Sequence, residues 1–190
     1  VAGTGLSGIL TRRLMDGDPD GLMRRALARF PVSEPVEALL ERYYIPGGRK
    51  AGKAYHSLGM YTIHPPRTLD QLNVIAAFVE VSLAKEGHSG IIGINLLEKV
   101  QMPIQATLYG AMLAGIDYIL MGAGVPLQVA AILDKLARHE PTSYRLDVHD
   151  ALGEDDFRLH FDPEALFPGI TARVGPLRRL PSGRGPGRIG

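Results

Sequence analysis

The feature that most limits the fold is an alternation of short apolar runs and helical segments in the middle of the chain. Residues 91–97 and 118–121 are apolar runs of strand length, and the segments after them start at Pro103 and Pro126. This strand–helix–strand–helix order, with short connections, predicts parallel strands joined by right-handed crossovers. Because both runs are apolar at successive positions, we expect the two strands to be covered on both faces.

The first third of the chain indicates a further strand and several helices. Residues 1–5 resemble the end of a buried strand that enters a Gly-rich turn. Apolar residues at helical spacing then predict an inserted helical segment. Its helices are expected over residues 6–14, over residues 22–30, from an N-cap at Ser33 to about Tyr43, and from an N-cap at Thr68 to just before Gly87.

The pattern changes after Pro141. Residues 144–148 and 157–161 alternate between apolar and polar side chains, which predicts a solvent-facing β-hairpin with residues 151–156 as its turn. Residues 171–190 carry five Arg and no acidic residue among many Gly and Pro, which is typical of a disordered or frame-shifted tail. We therefore expect one domain over residues 1–170 and a tail over residues 171–190.

Composition excludes several classes of protein. The 190 residues include no Cys, which rules out disulfides, thiolate metal sites and Cys nucleophiles. The histidines show no metal-ligand spacing, so no metal site is expected. No apolar run reaches the length of a membrane span and no signal peptide is visible. A net charge of +1 indicates no general attraction to nucleic acid. These features predict a cytoplasmic protein with neither a membrane nor a nucleic-acid partner.

The ends of the two central strands are the best candidates for a binding site. Ligands of α/β folds bind at the carboxyl ends of parallel strands, where Asn95 and the Gly122–Gly124 segment fall. The Asn95 amide both donates and accepts hydrogen bonds, which suits a flat heterocycle. Glu98 and Lys99 follow the first strand closely enough to reach such a site. The alternative is that these glycines only form tight turns.

Four stretches together resemble one family. Gly3–Gly5, Ala84–His88, Gly93–Lys99 and, most specifically, Tyr109–Pro126 are similar to segments of the nitronate monooxygenases, formerly called 2-nitropropane dioxygenases. The resemblance extends over residues 1–170. It implies an FMN-dependent oxidoreductase that oxidises alkyl nitronates with O₂, its small-molecule partners.

The resemblance also implies a fold and a set of cofactor contacts. The fold would be α/β, a partial (β/α)₈ TIM barrel of parallel strands with an inserted helical segment and a β-hairpin. FMN would be held at the strand ends. The residues matched to that role are Gly3, Thr4, Asn95, Lys99, Gly122, Ala123 and Gly124.

The family's Gln-Gly-Gly-Met-type opening strand, its Gly-Gly-His segment and its phosphate-binding loops have no counterpart in the sequence. We therefore expect an internal piece of the enzyme, with no assignable catalytic residue. Such a piece would expose strand edges and an uncovered inner face, so poor stability, aggregation, weak or absent FMN binding and no turnover are expected.

Three other functions remain open at this point. An FMN-dependent enoyl reductase-like enzyme would share the barrel but oxidise NAD(P)H. A structural domain with an Arg/Gly nucleic-acid-binding tail would interleave aromatic residues, and residues 171–190 contain none. An inactive structural fragment is the third alternative. The oligomeric state is left open.

Overall fold

The computed structural model describes residues 1–122, 127–150, 152, 156–171 and 174. Within that part the fold is mixed α/β, with seven helices and four strands. The helices are α1 (Leu6–Met15), α2 (Leu22–Leu27), α3 (Ser33–Tyr43), α4 (Arg67–Ala84), α5 (Ile104–Leu113), α6 (Val129–Leu136) and α7 (Pro163–Leu166). The strands are β1 (Gly93–Leu97), β2 (Tyr118–Gly122), β3 (Thr142–Arg145) and β4 (Arg158–Phe161).

The central strands are parallel, as the alternation predicts. β1 and β2 pair from Gly93 opposite Tyr118 to Leu97 opposite Gly122. The N-terminal segment adds a third extended stretch through a parallel bridge between Ala2 and Asn95. The Gly3 amide donates to the Asn95 carbonyl at 2.7 Å, and the Asn95 amide donates to the Val1 carbonyl at 2.8 Å. Residues 1–3, β1 and β2 therefore lie side by side and run in one direction.

Helices cover one face of these strands. Ile94 and Leu96 of β1 are buried with Val74 and Ile75 of α4 in one apolar core. α4 and α5 approach so closely that a Cβ built at Gly110 would lie 2.0 Å from the Val74 carbonyl oxygen. Only glycine permits that approach, so the position of α5 against α4 depends on this residue.

The opposite face of the strands is open. Leu97 is 44% exposed and Leu120 is 52% exposed. The expectation that both faces would be covered is therefore wrong for the described part of the chain, because its helices all pack on the other side. An apolar strand sequence indicates an apolar face but does not show what covers it.

The helix boundaries differ from the sequence predictions at several ends. Ser33 and Thr68 lie inside α3 and α4, whose N-cap residues Val32 and Pro66 make no side-chain cap hydrogen bond. α2 ends at Leu27, and the chain then tightens to i→i−3 hydrogen bonds, with the Phe30 amide donating to the Leu27 carbonyl at 3.0 Å. These boundaries follow from how the chain enters each helix and not from cap preference alone.

The first strand of the predicted hairpin begins two residues earlier in the sequence than expected. β3 and β4 pair antiparallel from Thr142 opposite Phe161 to Arg145 opposite Arg158. Tyr144 and Phe161 are buried, so the hairpin faces solvent on only one side. The Phe161 ring packs edge-on against Tyr109 of α5, with centroids 5.7 Å apart.

The described strands form two two-stranded sheets and no closed barrel. In the same residues no helix combines the length and apolarity needed to cross a bilayer. The predicted tail lies outside the described residues except for Thr171 and Val174, and so does most of the predicted hairpin turn.

Candidate functional site

The carboxyl ends of the three parallel stretches meet at one edge of the sheet. Thr4 follows the N-terminal stretch, Glu98 and Lys99 follow β1, and Gly122 ends β2. The Glu98 amide donates to the Gly122 carbonyl at 2.9 Å, which joins the ends of β1 and β2. We call the set Thr4, Glu98, Lys99 and Gly122 the carboxyl edge. Ligands of parallel α/β sheets bind at such an edge.

Asn95 lies in the middle of β1, two residues before the carboxyl end of that strand. It pairs with Ala2 on one side and Leu120 on the other, so the three side chains share the open face. Its backbone amide and carbonyl both bond to the N-terminal stretch, whereas its side chain is exposed. The amide therefore lies on the face of the sheet and not at the strand end that the sequence indicated.

Two of the predicted cofactor glycines differ in what surrounds them. A Cβ at Gly3 would lie 2.5 Å from the Leu96 side chain and 2.9 Å from the Asn95 carbonyl oxygen. Packing within the sheet thus accounts for glycine at this position. A Cβ at Gly122 would meet its nearest described atom at 3.9 Å, an ordinary contact. Contacts with the described chain therefore do not require glycine at position 122, and the bare backbone there can be approached closely by a ligand.

The β3–β4 hairpin also reaches the carboxyl edge, which the sequence did not indicate. The Tyr144 hydroxyl donates to Glu98 Oε1 at 3.3 Å. Burial and the nearby Glu98 carboxylate raise the pKa of Tyr144 to about 12, so its hydroxyl keeps its proton at neutral pH. Tyr144 and Glu98 are 46 residues apart, and no local sequence pattern connects them.

The reactive-looking segment Lys85–His88 lies at the amino end of the strands. Lys85 Nζ donates to Asp117 Oδ2 at 2.8 Å, and the same oxygen accepts the Ile92 amide at 2.9 Å. Asp117 thus ties the start of β1 to the end of α4. His88 bonds back to the Ala84 carbonyl at 2.8 Å.

The described residues contain no group of three or more His, Cys, Asp or Glu side chains placed to hold a metal ion. Several histidines instead make local contacts. His139 shares a 2.7 Å hydrogen bond with the Tyr109 hydroxyl, and His56 contacts the Arg42 carbonyl at 3.2 Å. Neither histidine lies among the residues of the carboxyl edge.

A second polar cluster lies at the start of α4. Asp70 is 9% exposed, and burial raises its pKa to about 7. Tyr61 accepts a short hydrogen bond from the Asn73 amide, and its own pKa is raised by burial and by the Asp70 charge. Asp70 lies in the first turn of α4, and no local sequence pattern indicates its burial, because that burial depends on the loop that covers it.

A groove of about 350 Å³ lies between α3 and α4. Leu39, Leu72 and Ile75 line it, and none of the predicted cofactor residues does. The carboxyl edge is the better candidate site, because three strand ends and a carboxylate meet there.

Of the predicted cofactor residues, Thr4, Lys99 and Gly122 thus lie at the carboxyl edge, Gly3 packs within the sheet, and Asn95 lies on the adjoining face. Ala123 and Gly124 lie outside the described residues. Comparison of the chain with protein-family models, with curated proteins and with solved structures found no match.

Proposed function

We propose that the chain is part of an FMN-dependent oxidoreductase that acts on alkyl nitronates, built on a partial (β/α)₈ barrel. The observation that carries the proposal is the meeting of three parallel stretches at the carboxyl edge. Parallel order, helices on one face and an open opposite face match an arc of a barrel whose interior side is uncovered. The resemblance over residues 1–170 supplies the cofactor and the substrate.

The residues at the edge fit a flavin in three respects. The isoalloxazine ring is flat and carries both donors and acceptors, and the exposed Asn95 amide offers the complement of each. Gly122 leaves space for the ring or chain to approach the backbone. Lys99 is exposed and adds a positive charge beside an anionic cofactor or nitronate. When bound, FMN supplies the electron-accepting chemistry and the reaction with O₂.

The chain's own residues would bind and orient the reactants. Asn95 would hold the ring edge, and Lys99 would attract the anionic substrate. None of the described histidines lies among these residues, so no general base is assigned. Because the phosphate loops implied by the resemblance have no counterpart in the sequence, we expect this chain alone to bind FMN weakly and to show no turnover, so any consumption of O₂ or NADPH would exceed that expectation.

The first test is a titration of flavin fluorescence with the purified chain, followed by an absorbance spectrum after desalting. Saturable quenching by the wild-type chain supports the proposal if the affinity for FMN is at least tenfold lower in Asn95→Ala. Gln71→Ala, a half-buried amide on α4, is the matched control and leaves binding unchanged. If the wild-type chain shows no saturable quenching, that result contradicts FMN binding.

An NAD(P)H-oxidising, enoyl reductase-like activity is the alternative, because it would use the same flavin edge. Oxidation of NADPH by the flavin-loaded chain, measured at 340 nm, distinguishes the two. O₂ consumption with a nitronate and without NADPH supports the first proposal. NADPH oxidation without any reaction of the nitronate supports the second.

A further inference from the structure

Two glutamine side chains tie the β3–β4 hairpin to the carboxyl side of the parallel strands. Gln128 Nε2 donates to the Arg145 carbonyl and Gln128 Oε1 accepts the Arg145 amide, both at 2.8 Å. Gln101 makes the same pair of bonds with Asp147, at 2.9 and 2.6 Å. Gln101 follows β1 and Gln128 precedes α6. The hairpin is therefore fixed beside the strand ends.

This position holds Glu98 at two points. Its backbone amide donates to the Gly122 carbonyl, and its carboxylate accepts a hydrogen bond from the hydroxyl of Tyr144, which is only 1% exposed. A carboxylate has about four acceptor sites, and within the described part of the chain Tyr144 is the one side chain that donates to it, which leaves acceptor sites for a ligand. Glu98 is half-buried at the carboxyl edge. It thus combines a fixed position with unused acceptor capacity.

The chemistry of this carboxylate selects the kind of group that it binds. An ionised carboxylate only accepts hydrogen bonds, so it suits a ligand with two neighbouring hydroxyl groups. Acidic residues near the strand ends of other α/β folds bind ribose hydroxyls in this way. An anionic group would be repelled by Glu98, and an ammonium group would be repelled by the adjacent Lys99.

We propose that Glu98, positioned by Tyr144, binds the vicinal hydroxyl groups of the ligand at the carboxyl edge. The inference rests on the proposed function, since the ribityl chain of FMN carries such hydroxyls. The ribose of a reduced nicotinamide nucleotide carries them too. Glu98 is the residue that contacts the ligand, and Tyr144 acts through it.

The test compares ligands with and without hydroxyl groups. Wild type and Glu98→Gln are titrated with FMN, riboflavin and lumiflavin, which has the ring without the hydroxyl chain, and with NADH. We expect Glu98→Gln to bind FMN and riboflavin about tenfold more weakly and lumiflavin unchanged. Tyr144→Phe shows the same pattern with a smaller loss. Glu140→Gln, at an exposed carboxylate paired with Arg138, is the matched control and changes nothing.

Each outcome bears on the proposal. If Glu98→Gln weakens the binding of NADH and of no flavin, the result also supports the proposal and assigns the hydroxyl groups to the nucleotide ribose. If Glu98→Gln binds all three flavins equally more weakly, or binds every ligand as tightly as wild type does, the role of Glu98 is overturned while flavin binding itself stands. Failure of the wild type to bind flavins and NADH overturns the proposed function and the ligand role together.

A ligand-free measurement tests the residue pair itself. Because the Glu98 carboxylate contributes to the raised pKa of Tyr144, Glu98→Gln lowers that pKa. Tyrosinate absorbance at 295 nm follows the change, with Tyr144→Phe identifying the signal of this residue. Unchanged titration, with native far-ultraviolet circular dichroism, overturns the contact on which the positioning of Glu98 depends.

Discussion

The two faces of the parallel strands have different surroundings. On the helix-covered face Ile94 is fully buried, and α5 approaches α4 to the limit that Gly110 allows. On the open face Leu120 and Leu97 are about half-exposed, and a Cβ at Gly122 would make only ordinary contacts with the described chain. The free energy of unfolding should therefore depend mainly on the helix-covered face, and flavin binding on the open face. Substitutions on the two faces should affect these two properties separately.

The largest effect is expected for Gly110→Ala. The added Cβ would lie 2.0 Å from the Val74 carbonyl oxygen, so α4 and α5 must separate. We expect a loss of about 3 kcal/mol or more in the free energy of unfolding, measured by urea denaturation. Gly122→Ala is the matched substitution on the open side and should cost under about 1 kcal/mol while weakening flavin binding. Equal destabilisation by the two variants would contradict the division between the faces.

Asp70→Asn should stabilise the protein in a pH-dependent way. Burial raises the pKa of Asp70 from 3.8 to about 7, so the native state holds this proton more tightly than the unfolded chain does. The Asp70 contribution to stability therefore falls as pH rises from about 4 to about 7. We expect the variant to gain about 2–4 kcal/mol over wild type at pH 8, and little at pH 4.

Urea denaturation at both pH values measures this difference. Asp134→Asn, at an exposed carboxylate on α6, should leave the pH profile of stability unchanged. A gain of the same size at pH 4 and pH 8 would show that packing, and not ionisation of Asp70, causes the effect.

Asp117→Ala should have a smaller effect, at the amino end of the strands. The substitution removes the acceptor for Lys85 Nζ and for the Ile92 amide. We expect a loss of about 1–2 kcal/mol in unfolding free energy, because the site is only half-buried. Affinity for FMN should not change, since the carboxyl edge lies at the opposite ends of the strands. Weaker flavin binding without destabilisation would contradict a purely structural role.

The smallest change in stability per substituted residue is expected for the double variant Leu97→Ser and Leu120→Ser. Both side chains are already about half-exposed, so each substitution should lower the free energy of unfolding by about 1 kcal/mol. The variant should self-associate less than wild type, because an exposed apolar sheet face promotes aggregation. Sedimentation velocity over a range of concentrations measures this. Undiminished self-association would show that the copies meet elsewhere.

Local sequence signals predicted the central elements well. Pro103 and Gly115 bound α5 closely, with Pro103 as the N-cap residue and Gly115 at a positive φ of 76° after the helix. The parallel pairing of β1 and β2 followed from alternation alone. These features depend on a few adjacent residues, so the sequence contains enough information to locate them.

Features that depend on distant residues were not predictable. The Gln101–Asp147 and Tyr144–Glu98 contacts each join residues 46 positions apart. Burial of Asp70 depends on the loop that carries Tyr61, and the open face depends on which elements pack elsewhere. The sequence indicated Asn95 and Gly122 by residue type, but not that Tyr144 would position Glu98 between the strand ends.

The paired glutamine contacts have a consequence for how the chain can polymerise. They occupy backbone groups of Arg145 and Asp147 that would otherwise template an additional strand along the hairpin. Fibril-like growth from that side of β3 first requires the side-chain amides of Gln101 and Gln128 to be displaced. The parallel stretches have no such blocking group on the outer backbone of Ala2 among the described residues. Cross-β growth should therefore start at an edge of the parallel strands and not at β3, and a Pro substitution at Ala2 should slow growth from the N-terminal edge.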